Sequence, residues 1–394
     1  MVAKIKHSDK AQAGTSKPAG SAVKPRVALI LQGGGALGAY HIGAYEALHE
    51  AGLEPDWVAG ISIGAINACI LVGNDAADRL TAMETLWDEI SRPDMFGDLL
   101  SGDLRRSYNK LSFMGAVMFG QPNFWTPRFP SPLLLGDMEP ENASFCDTSP
   151  MRATLARLSS FDRINGGDTR ISLGATKLTT GEMEFFDNTR QAIAPEHVLA
   201  SGSLPPGFPA TRVGGDLYWD GGCVSNTPLD AIYQDDASGH TLVFMIDLWD
   251  AHGPAPRNMD QVSWRQNQIL YSSRTAHHIE ALTSRHNHRR TLHSFADKAD
   301  IDVSSVSDDV DLGSHNGEAH FDIVHVIYHP GADQIADSDA EFSRPSIAER
   351  RAAGYADLQL ALRESPWTRK TKPAHVGSSV HVVRGGTVSS RNPF

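Results

Sequence analysis

An alternation of short apolar runs and amphipathic segments begins at residue 27, and it constrains the fold more than any other feature of the chain. Val27–Leu31 is a continuous apolar run rich in branched side chains, which is typical of a strand buried on both faces. Gly38–Ala51 has apolar residues at helical spacing and is followed by Gly52, a common helix stop. Trp57–Ile61 and Ile63–Val72 repeat the strand and the helix. This order predicts an α/β fold with a mostly parallel central sheet and helices on its faces.

Further segments continue the pattern through the chain. Apolar runs of the same kind predict strands at 170–176, 183–186, 241–248 and 321–328. Helical spacing predicts two later helices, at about 259–295 and 346–362. No linker-like break separates these elements, so we predict one large α/β domain that carries an α+β elaboration toward its C terminus.

The expected domain organisation follows from these elements and from composition. We predict a core domain over residues 26–250, with a cap-like insertion at about 95–145. A C-terminal accessory region, residues 251–366, is expected to pack on that core. Residues 1–25 carry five basic side chains and one acidic one, and residues 367–394 carry five basic and no acidic ones; we interpret these segments as a disordered leader and a flexible tail.

The charge distribution limits the partners of the chain. The 394 residues have a formal net charge of −12, but residues 27–366 carry 46 acidic and only 24 basic side chains. A body this acidic argues against a nucleic-acid partner, because phosphate neutralisation requires clustered cations. We hypothesise that the basic leader tethers the chain weakly to anionic membranes, with solvated disorder as the alternative. Its lysines are Lys4, Lys6, Lys10, Lys17 and Lys24.

No segment of the sequence predicts secretion or a membrane span. Residues 1–25 lack the apolar run of about 7–15 residues found in a secretory signal. The longest apolar run, Phe113–Phe119, is far shorter than the roughly 20 residues needed to cross a bilayer. Cys69, Cys146 and Cys223 form no CxxC pair, so they predict neither a disulfide framework nor a zinc site. We therefore expect a cytoplasmic protein, with any membrane contact peripheral and the oligomeric state left open.

A glycine-rich turn lies between the first predicted strand and the first predicted helix. Glycines let the backbone approach a ligand closely, and amide groups at a helix N-terminus favour negative charge. Gly33, Gly35 and Gly38 satisfy the dinucleotide pattern G-x-G-x-x-G. That site also needs an acid at the carboxyl end of the second strand, whereas Glu54 and Asp56 precede that strand. A tight turn without a ligand remains the alternative.

The second strand ends at a serine flanked by glycines. Gly60, Ser62 and Gly64 form the pattern G-x-S-x-G at a predicted strand-to-helix junction, the context in which this short motif indicates a nucleophile. The glycines permit a sharp turn that lifts the hydroxyl above the sheet. Because the glycine-rich turn ends the neighbouring strand, its backbone N–H groups are expected beside the hydroxyl, as an oxyanion hole requires.

A serine nucleophile needs a base, and the sequence offers an aspartate. Asp220, Gly221 and Gly222 follow an aromatic strand end, and Asp220 is either the base or an Asx-turn cap. The histidines are interpreted as surface or packing residues because none lies in a motif: His277, His278, His286, His288, His293, His325 and His329. We find no pattern for a metal or cofactor, and the acidic cluster Asp308, Asp309 and Asp311 is interpreted as a solvated loop.

The three motifs, in this order, resemble those of the patatin-like phospholipases. The resemblance covers about residues 26–248 and extends to Ala200–Pro209, which is similar to the proline-containing segment before that family's Asp-Gly turn. It implies a three-layer α/β/α fold and a serine acyl hydrolase with a Ser–Asp dyad and no catalytic histidine. Glu341–Arg344 and Ser346–Tyr355 resemble the terminal segment of a bacterial subgroup with an extra C-terminal domain.

The resemblance also implies residue roles. Ser62 is the nucleophile, Asp220 the base, and the oxyanion donors come from Gly33, Gly34 and Gly35, with the amides of Gly34 and Gly35 favoured. Many members carry Arg or Lys where this chain has Leu37, so the role of a cation there is lost or moved.

The substrate expected from the resemblance is a lipid carboxylic ester, of the phospholipase A or lysophospholipase type. Phe119 and Trp125, in the apolar and proline-rich insertion, are candidates for lining an acyl-chain channel, with the core of a helical cap as the alternative. A non-lipid ester, thioester or hydroxyacid polyester is a second possible substrate. A lipid- or nucleotide-binding regulator on the same fold is the non-enzymatic alternative.

Overall fold

The computed structural model describes residues 25–92, 100–235, 239–299, 319–331, 334–368, 373 and 375–393. The leader lysines and the acidic cluster at 308–311 lie outside the described residues, so the predictions about them are not addressed by the structure.

Ten strands form the central sheet, and two short strands pair separately. The strands in chain order are β1 Arg26–Leu31, β2 Trp57–Gly60, β3 Thr126–Pro127, β4 Cys146–Asp147, β5 Arg170–Lys177, β6 Met183–Asp187, β7 Thr211–Val213, β8 Asp216–Asp220, β9 Gly239–Asp247, β10 Ala319–Ile327, β11 Ser378–Arg384 and β12 Thr387–Arg391. The sheet order is β12-β11-β10-β9-β1-β2-β5-β8-β7, with β6 also paired to β5 and β3 paired to β4 outside the sheet. The six strands from β11 to β5 in this order run parallel to one another, whereas β12, β8 and β6 pair with them in the antiparallel direction.

Helices cover both faces of this sheet. In chain order they are α1 Tyr40–Glu50, α2 Ile63–Val72, α3 Arg79–Glu89, α4 Gly102–Phe119, α5 Ser149–Leu158, α6 Phe161–Gly166, α7 Pro195–Ser201, α8 Leu229–Tyr233, α9 Met259–Ala299 and α10 Arg344–Glu364. Among the described residues, no helix combines the length and the apolar character needed to cross a bilayer.

Alternation along β1 shows how the layers are divided. Leu29 and Leu31 belong to the core that β1 shares with α1, α2 and α10, whereas Ala28 and Ile30 belong to the core with α8 and α9. All four side chains are buried, because helices cover the sheet on both sides. The predicted class, a three-layer α/β/α fold with a mostly parallel sheet, is confirmed.

The strand order places a crevice at the carboxyl end of β1. From β1 the chain proceeds in one direction through β2 and β5, while β9, β10 and β11 lie on the other side of β1. Loops that leave neighbouring strands in opposite directions open such a crevice, the usual ligand site of open α/β sheets. The two glycine motifs both lie at this edge, because they follow β1 and β2.

The C-terminal region extends the sheet. β10 pairs in parallel with β9 and β11 pairs with β10, so residues after 250 continue the core sheet as well as packing on it. The prediction of a flexible tail over 367–394 was wrong for β11 and β12. Gly385 and Gly386, both with positive φ, form the two-residue turn between these antiparallel strands. This hairpin signal was present in the sequence and was missed.

Candidate active site

Ser62 lies between β2 and α2 in a backbone conformation that is unusual for a residue with a side chain. Its φ is 57° and its ψ is −126°, which costs about 1–3 kcal/mol for a non-glycine residue. The Ser62 amide donates to the backbone oxygen and to Oγ of Ser201, at 3.1 Å in each case. These bonds hold the turn, which is the strained elbow expected of a nucleophilic serine.

The positions on either side of the serine have no room for a side chain, so glycine is required at both. A Cβ on Gly60 would lie 2.3 Å from the Gly64 oxygen, and a Cβ on Gly64 would lie 2.1 Å from the Leu31 oxygen. A real Cβ is not found that close to a carbonyl oxygen, so neither position accepts a side chain without backbone movement. The sequence motif therefore marks the close approach of α2 to the ends of β1 and β2.

The glycine-rich turn lies beside Ser62. The amides of Gly34 and Gly35 donate to no acceptor among the described residues, and both residues line the same cavity as Ser62. The Gly33 amide instead donates to the Asn226 oxygen at 3.2 Å. Gly33 was predicted as an oxyanion donor with the other two, but its N–H is already used to hold the turn. The available donor pair is Gly34 and Gly35.

Other contacts fix the position of this turn. The Asn226 side chain donates to the Gly33 oxygen at 2.7 Å, and the Trp249 indole donates to the same oxygen at 3.0 Å. Gly38 lies against the side chain of Ile63, which a Cβ would approach to 2.7 Å. Gly38 therefore serves the packing of the turn against α2.

Asp220 ends β8 and is almost completely buried, with 1% of its surface exposed. Its Oδ1 accepts the Gly222 amide at 2.7 Å, and its own amide donates to the Ser203 oxygen at 3.0 Å. Gly221 lies against the backbone of Gly174, so the Asp-Gly-Gly turn is tightly packed. The turn therefore holds one carboxylate oxygen, Oδ1, and does not bind the other, Oδ2.

The second carboxylate oxygen of Asp220, Oδ2, is buried and forms no hydrogen bond to any described residue. Burial raises the pKa of Asp220 to about 6, while the Ser62 hydroxyl and the Gly222 amide act in the opposite direction. Because catalytic hydrogen bonds are often loose before substrate binds, this arrangement suits a base that receives the Ser62 proton. At pH 7 the carboxylate is mostly ionised and more basic than an ordinary aspartate.

These groups lie at the floor of a cavity of about 550 Å³. Its apolar wall includes a cluster of four aromatic rings, in which five pairs have ring centroids 4.7 to 6.0 Å apart: Phe124, Trp125, Phe208 and Phe342. No histidine is among the described residues that line it. Trp125, one of the two candidates for an acyl-chain channel, is among the residues that line the cavity. Phe119 does not line the cavity, because it ends α4 on the outer side with 74% of its surface exposed.

Residues of the C-terminal region contribute to this cavity, and no sequence pattern marked which residues would do so. Tyr271 of α9 and Asp339 both line it. Burial is the main cause that raises the pKa of Tyr271, followed by the carboxylates of Asp339 and Asp220, so these groups lie near one another. The Asp339 oxygen lies so close to Gly35, which has φ of +54°, that a Cβ there would be 2.0 Å away.

A buried cation from the C-terminal region contacts the glycine-rich turn. Arg350 of α10 donates to the Ala36 oxygen at 3.0 Å, and it also donates to the Glu341 and Ser338 oxygens at 2.9 and 3.0 Å. The sequence has Leu37 where a cation was expected, and Leu37 is fully buried. The guanidinium of Arg350, more than 300 residues away in the chain, therefore contacts the turn at Ala36, the residue before Leu37.

Two family models match this chain. The model described as patatin-like phospholipase matches residues 29–233, which include β1, the elbow and the Asp-Gly-Gly turn. The model described as patatin phospholipase matches residues 269–374, which include Tyr271, Asp339 and Arg350.

Individual relatives match over short segments. A triacylglycerol lipase, ptl3 of Schizosaccharomyces pombe, is 57% identical over 42 residues, which is 11% of this chain and 9% of the relative. The neuropathy target esterase sws of Drosophila melanogaster is 38% identical over 63 residues, which is 16% of this chain and 4% of the relative. The matched segment therefore spans less than a tenth of either relative.

Two solved structures are distantly similar. VipD from Legionella pneumophila has 15% sequence identity and a TM-score of 0.31, with 84% of this chain and 67% of that chain covered. ExoU from Pseudomonas aeruginosa, in complex with SpcU, has 19% identity and a TM-score of 0.26, with 66% and 53% covered.

Proposed function

The chain belongs to the patatin-like phospholipase family, and from this premise we propose that it is a serine hydrolase of lipid carboxylic esters. One observation carries the proposal: Ser62, in a strained elbow, and the buried carboxylate of Asp220 line one apolar cavity, and the Ser62 hydroxyl acts to lower the pKa of that carboxylate. We assign Ser62 as the nucleophile and Asp220 as the general base. The amides of Gly34 and Gly35 are the oxyanion donors.

In the first half-reaction Ser62 Oγ attacks the ester carbonyl carbon, and its proton passes to Asp220 Oδ2. The carbonyl π electrons move to oxygen, and the amides of Gly34 and Gly35 stabilise that oxyanion. One such donor is typically worth about 3 kcal/mol of transition-state stabilisation. When the tetrahedral intermediate collapses, the C–O bond to the leaving alcohol breaks. Asp220 returns its proton to that alkoxide, and an acyl-serine remains.

In the second half-reaction water replaces the alcohol. Asp220 takes a proton from the water as its oxygen attacks the acyl carbon, and the same amides bind the second oxyanion. Collapse releases the carboxylic acid, and the proton held by Asp220 returns to Ser62 Oγ. The raised pKa of Asp220 favours both directions of transfer, because a base is most effective when its pKa lies near the working pH.

The cavity favours an acyl chain over a polar substituent. Its wall is formed largely by aromatic and aliphatic side chains, Trp125 and Phe342 among them, which gain free energy when they exclude water from an alkyl chain. The two curated relatives are named as a lipase and an esterase. Both considerations favour lipid esters over the alternatives of a non-lipid ester, a thioester or a hydroxyacid polyester.

A fluorophosphonate probe tests the nucleophile. Labelling of wild type and its loss in Ser62→Ala are expected, because the probe phosphonylates an activated serine. Asp220→Asn is expected to slow labelling strongly while it leaves the fold intact. Absence of labelling on folded wild type, with no hydrolysis of p-nitrophenyl butyrate, would overturn the enzyme assignment and favour a lipid-binding regulator.

A substrate panel then tests the ester class. Hydrolysis of phosphatidylcholine, lysophosphatidylcholine and triacylglycerol is compared with that of an acyl thioester and a polyhydroxybutyrate oligomer of matched acyl length. We expect kcat/KM to be highest for a lipid ester. A preference for the oligomer or the thioester would assign the same dyad to the alternative substrate class.

A further inference from the structure

Exposed apolar side chains lie on the same segments as residues that line the cavity. They belong to α4, to the loop that follows it, and to the segment before β7, and we call this group the apolar rim. The rim consists of Met114, Val117, Met118, Phe119, Phe129, Leu133, Leu134, Leu135, Phe145 and Leu204. Phe129 is 98% exposed and Leu134 is 80% exposed. Isolated exposed apolar residues are ordinary, but a concentration of large ones marks an interaction surface.

The second half of α4 is apolar on both of its sides. Phe113 and Ala116 face the cavity, as expected of the inner side of a helix. Met114 and Met118, on the outer side, are exposed by 54% and 65% where polar side chains are the rule. A helix of this kind is stable in contact with an apolar medium on its outer side, and no described segment of the chain covers it.

The rim is continuous with the substrate cavity. Val117, Phe145 and Leu204 line the cavity and are also exposed, by 56%, 40% and 39%. A surface that seats on the rim therefore meets the opening that leads to Ser62. This continuity favours a partner that also contains the substrate.

Charge indicates what kind of surface fits. Between Leu111 and Gly136 the sequence has one charged side chain, Arg128, which donates to the Ser144 hydroxyl and to the Glu141 oxygen. This stretch holds no cluster of cations, and the body of the chain is acidic; the cations of α4, Arg105, Arg106 and Lys110, all precede it. An anionic membrane would be repelled by such a body at long range. A zwitterionic lipid surface meets no such repulsion.

We propose that the apolar rim is the docking surface for a zwitterionic lipid layer, with the cavity mouth opening directly onto the lipid. Docking itself does not depend on the proposed function. Only its consequence rests on that function, namely that the docked lipid supplies the ester to be hydrolysed. In this arrangement Phe129, Leu133 and Leu134 insert among the acyl chains, and an ester enters the cavity without crossing water. Binding follows from burial of apolar side chains at the interface, as it does for other amphipathic surfaces.

Vesicle sedimentation tests the surface separately from catalysis. The vesicles are made of ether-linked phosphatidylcholine, which has no ester to hydrolyse, and a second set contains phosphatidylglycerol as well. The rim variant is Phe129→Ser with Leu134→Ser, two side chains that do not line the cavity. The matched control is Leu292→Ser with Phe295→Ser, two exposed apolar residues near the far end of α9.

We expect the rim variant to lower the partition coefficient on phosphatidylcholine by at least about tenfold, and the control to change it by less than about twofold. Both variants are expected to hydrolyse dissolved p-nitrophenyl butyrate like wild type. Rim-dependent vesicle binding in a protein that hydrolyses no ester would leave the docking proposal standing and overturn the proposed function. If the rim variant hydrolyses the soluble ester and binds vesicles as well as wild type does, the docking proposal is overturned and the proposed function stands.

Two further results would overturn the docking proposal. Binding that requires phosphatidylglycerol and ignores the rim variant would assign membrane contact to charge. A wild-type dimer that the rim variant converts to monomer, measured by sedimentation velocity without lipid, would make the rim an interface between two copies of the chain.

Discussion

The floor of the cavity and the apolar rim lie on neighbouring parts of one fold and are built differently. At the floor, Ser62, Asp220 and the glycine-rich turn are held by backbone hydrogen bonds and by contacts too close for a Cβ. At the rim, large apolar side chains such as Phe129 project into solvent. The floor fixes the positions of a few atoms, as a reaction requires. The rim instead offers a large exposed apolar surface, which changes little when any one side chain is replaced.

The comparison predicts that changes at the floor affect rate constants on every substrate. Changes at the rim should affect aggregated lipid and spare soluble esters. Substitutions ordered by their expected effect test where the boundary between the two regions lies.

Asp220→Asn should have the largest effect on activity. Loss of the base is expected to lower kcat/KM by about 10³-fold on all substrates, because general base catalysis contributes up to about 10⁴. In wild type, kcat/KM should fall below about pH 6, where Asp220 becomes protonated. Stopped or continuous ester assays between pH 4.5 and 9 measure both effects. An acid limb centred near pH 4 would contradict the buried base.

The same variant should be more stable than wild type. The pKa of Asp220 is raised from 3.8 to about 6, so the unfolded chain gives up this proton more readily than the folded one. Ionisation of Asp220 therefore destabilises the fold progressively between about pH 4 and pH 6, by up to about 3 kcal/mol above that range. Chemical denaturation should show Asp220→Asn as the more stable protein at pH 8 and no difference near pH 3.5. A less stable variant at pH 8 would indicate a structural role for the charge.

Gly35→Ala is the next largest change. Gly35 has φ of +54° and its Cβ would lie 2.0 Å from the Asp339 oxygen, so the turn must move and misplace the oxyanion donors. A loss of about 10²- to 10³-fold in kcat is expected, the usual cost of one oxyanion donor. Gly214→Ala is the matched control, since Gly214 has φ of +59° with open space around it. The control should lose about 1 kcal/mol of stability with full activity, and equal activity in both variants would exclude the turn from catalysis.

Arg350→Met tests the support of the floor by the C-terminal region. The guanidinium links Ala36 to the 338–341 segment, so its loss should lower kcat about tenfold with little change in KM. Arg351→Met is the control, because the neighbouring Arg351 forms ion pairs with Glu46 and Glu84 that are partly exposed. Arg350→Lys keeps the charge and should recover part of the rate. If Arg350→Met and Arg351→Met lower stability to the same extent and neither lowers kcat, Arg350 has only a packing role.

Trp125→Ala should have the smallest effect on rate constants. Widening the cavity wall should change the ratio of kcat/KM for long and short p-nitrophenyl esters by about five- to tenfold, while the short ester alone is little affected. Phe119→Ala should leave this ratio unchanged, because Phe119 lies outside the cavity. A panel of acyl lengths below their aggregation limits measures the ratio. A shift caused by Phe119→Ala would extend the cavity to the outer side of α4.

Much of the fold was predictable because its signals are local. The apolar run of β1, the helical spacing of α1 and the glycines at 60 and 64 each occupy a few adjacent residues, and backbone geometry at a sharp turn restricts the choice of residue. The three motifs lie at or next to the carboxyl ends of strands, because the chain turns sharply there and the turn restricts which residues fit. The β11–β12 hairpin was not predicted although Gly385 and Gly386 signal it, because the basic composition of residues 367–394 is also typical of a solvated tail.

The sequence by itself determined the layer order of the core and the three turns that carry Ser62, Asp220 and the glycine amides, since each depends on residues close together in the chain. Only the tertiary structure decided which groups complete the cavity. Arg350 and Asp339 reach the glycine-rich turn across some 300 residues, and no local pattern records such a contact. Phe119 and Trp125 are six residues apart and equally apolar in sequence, yet one faces solvent and the other the cavity. That difference arises from the way α4 packs, which depends on the whole fold.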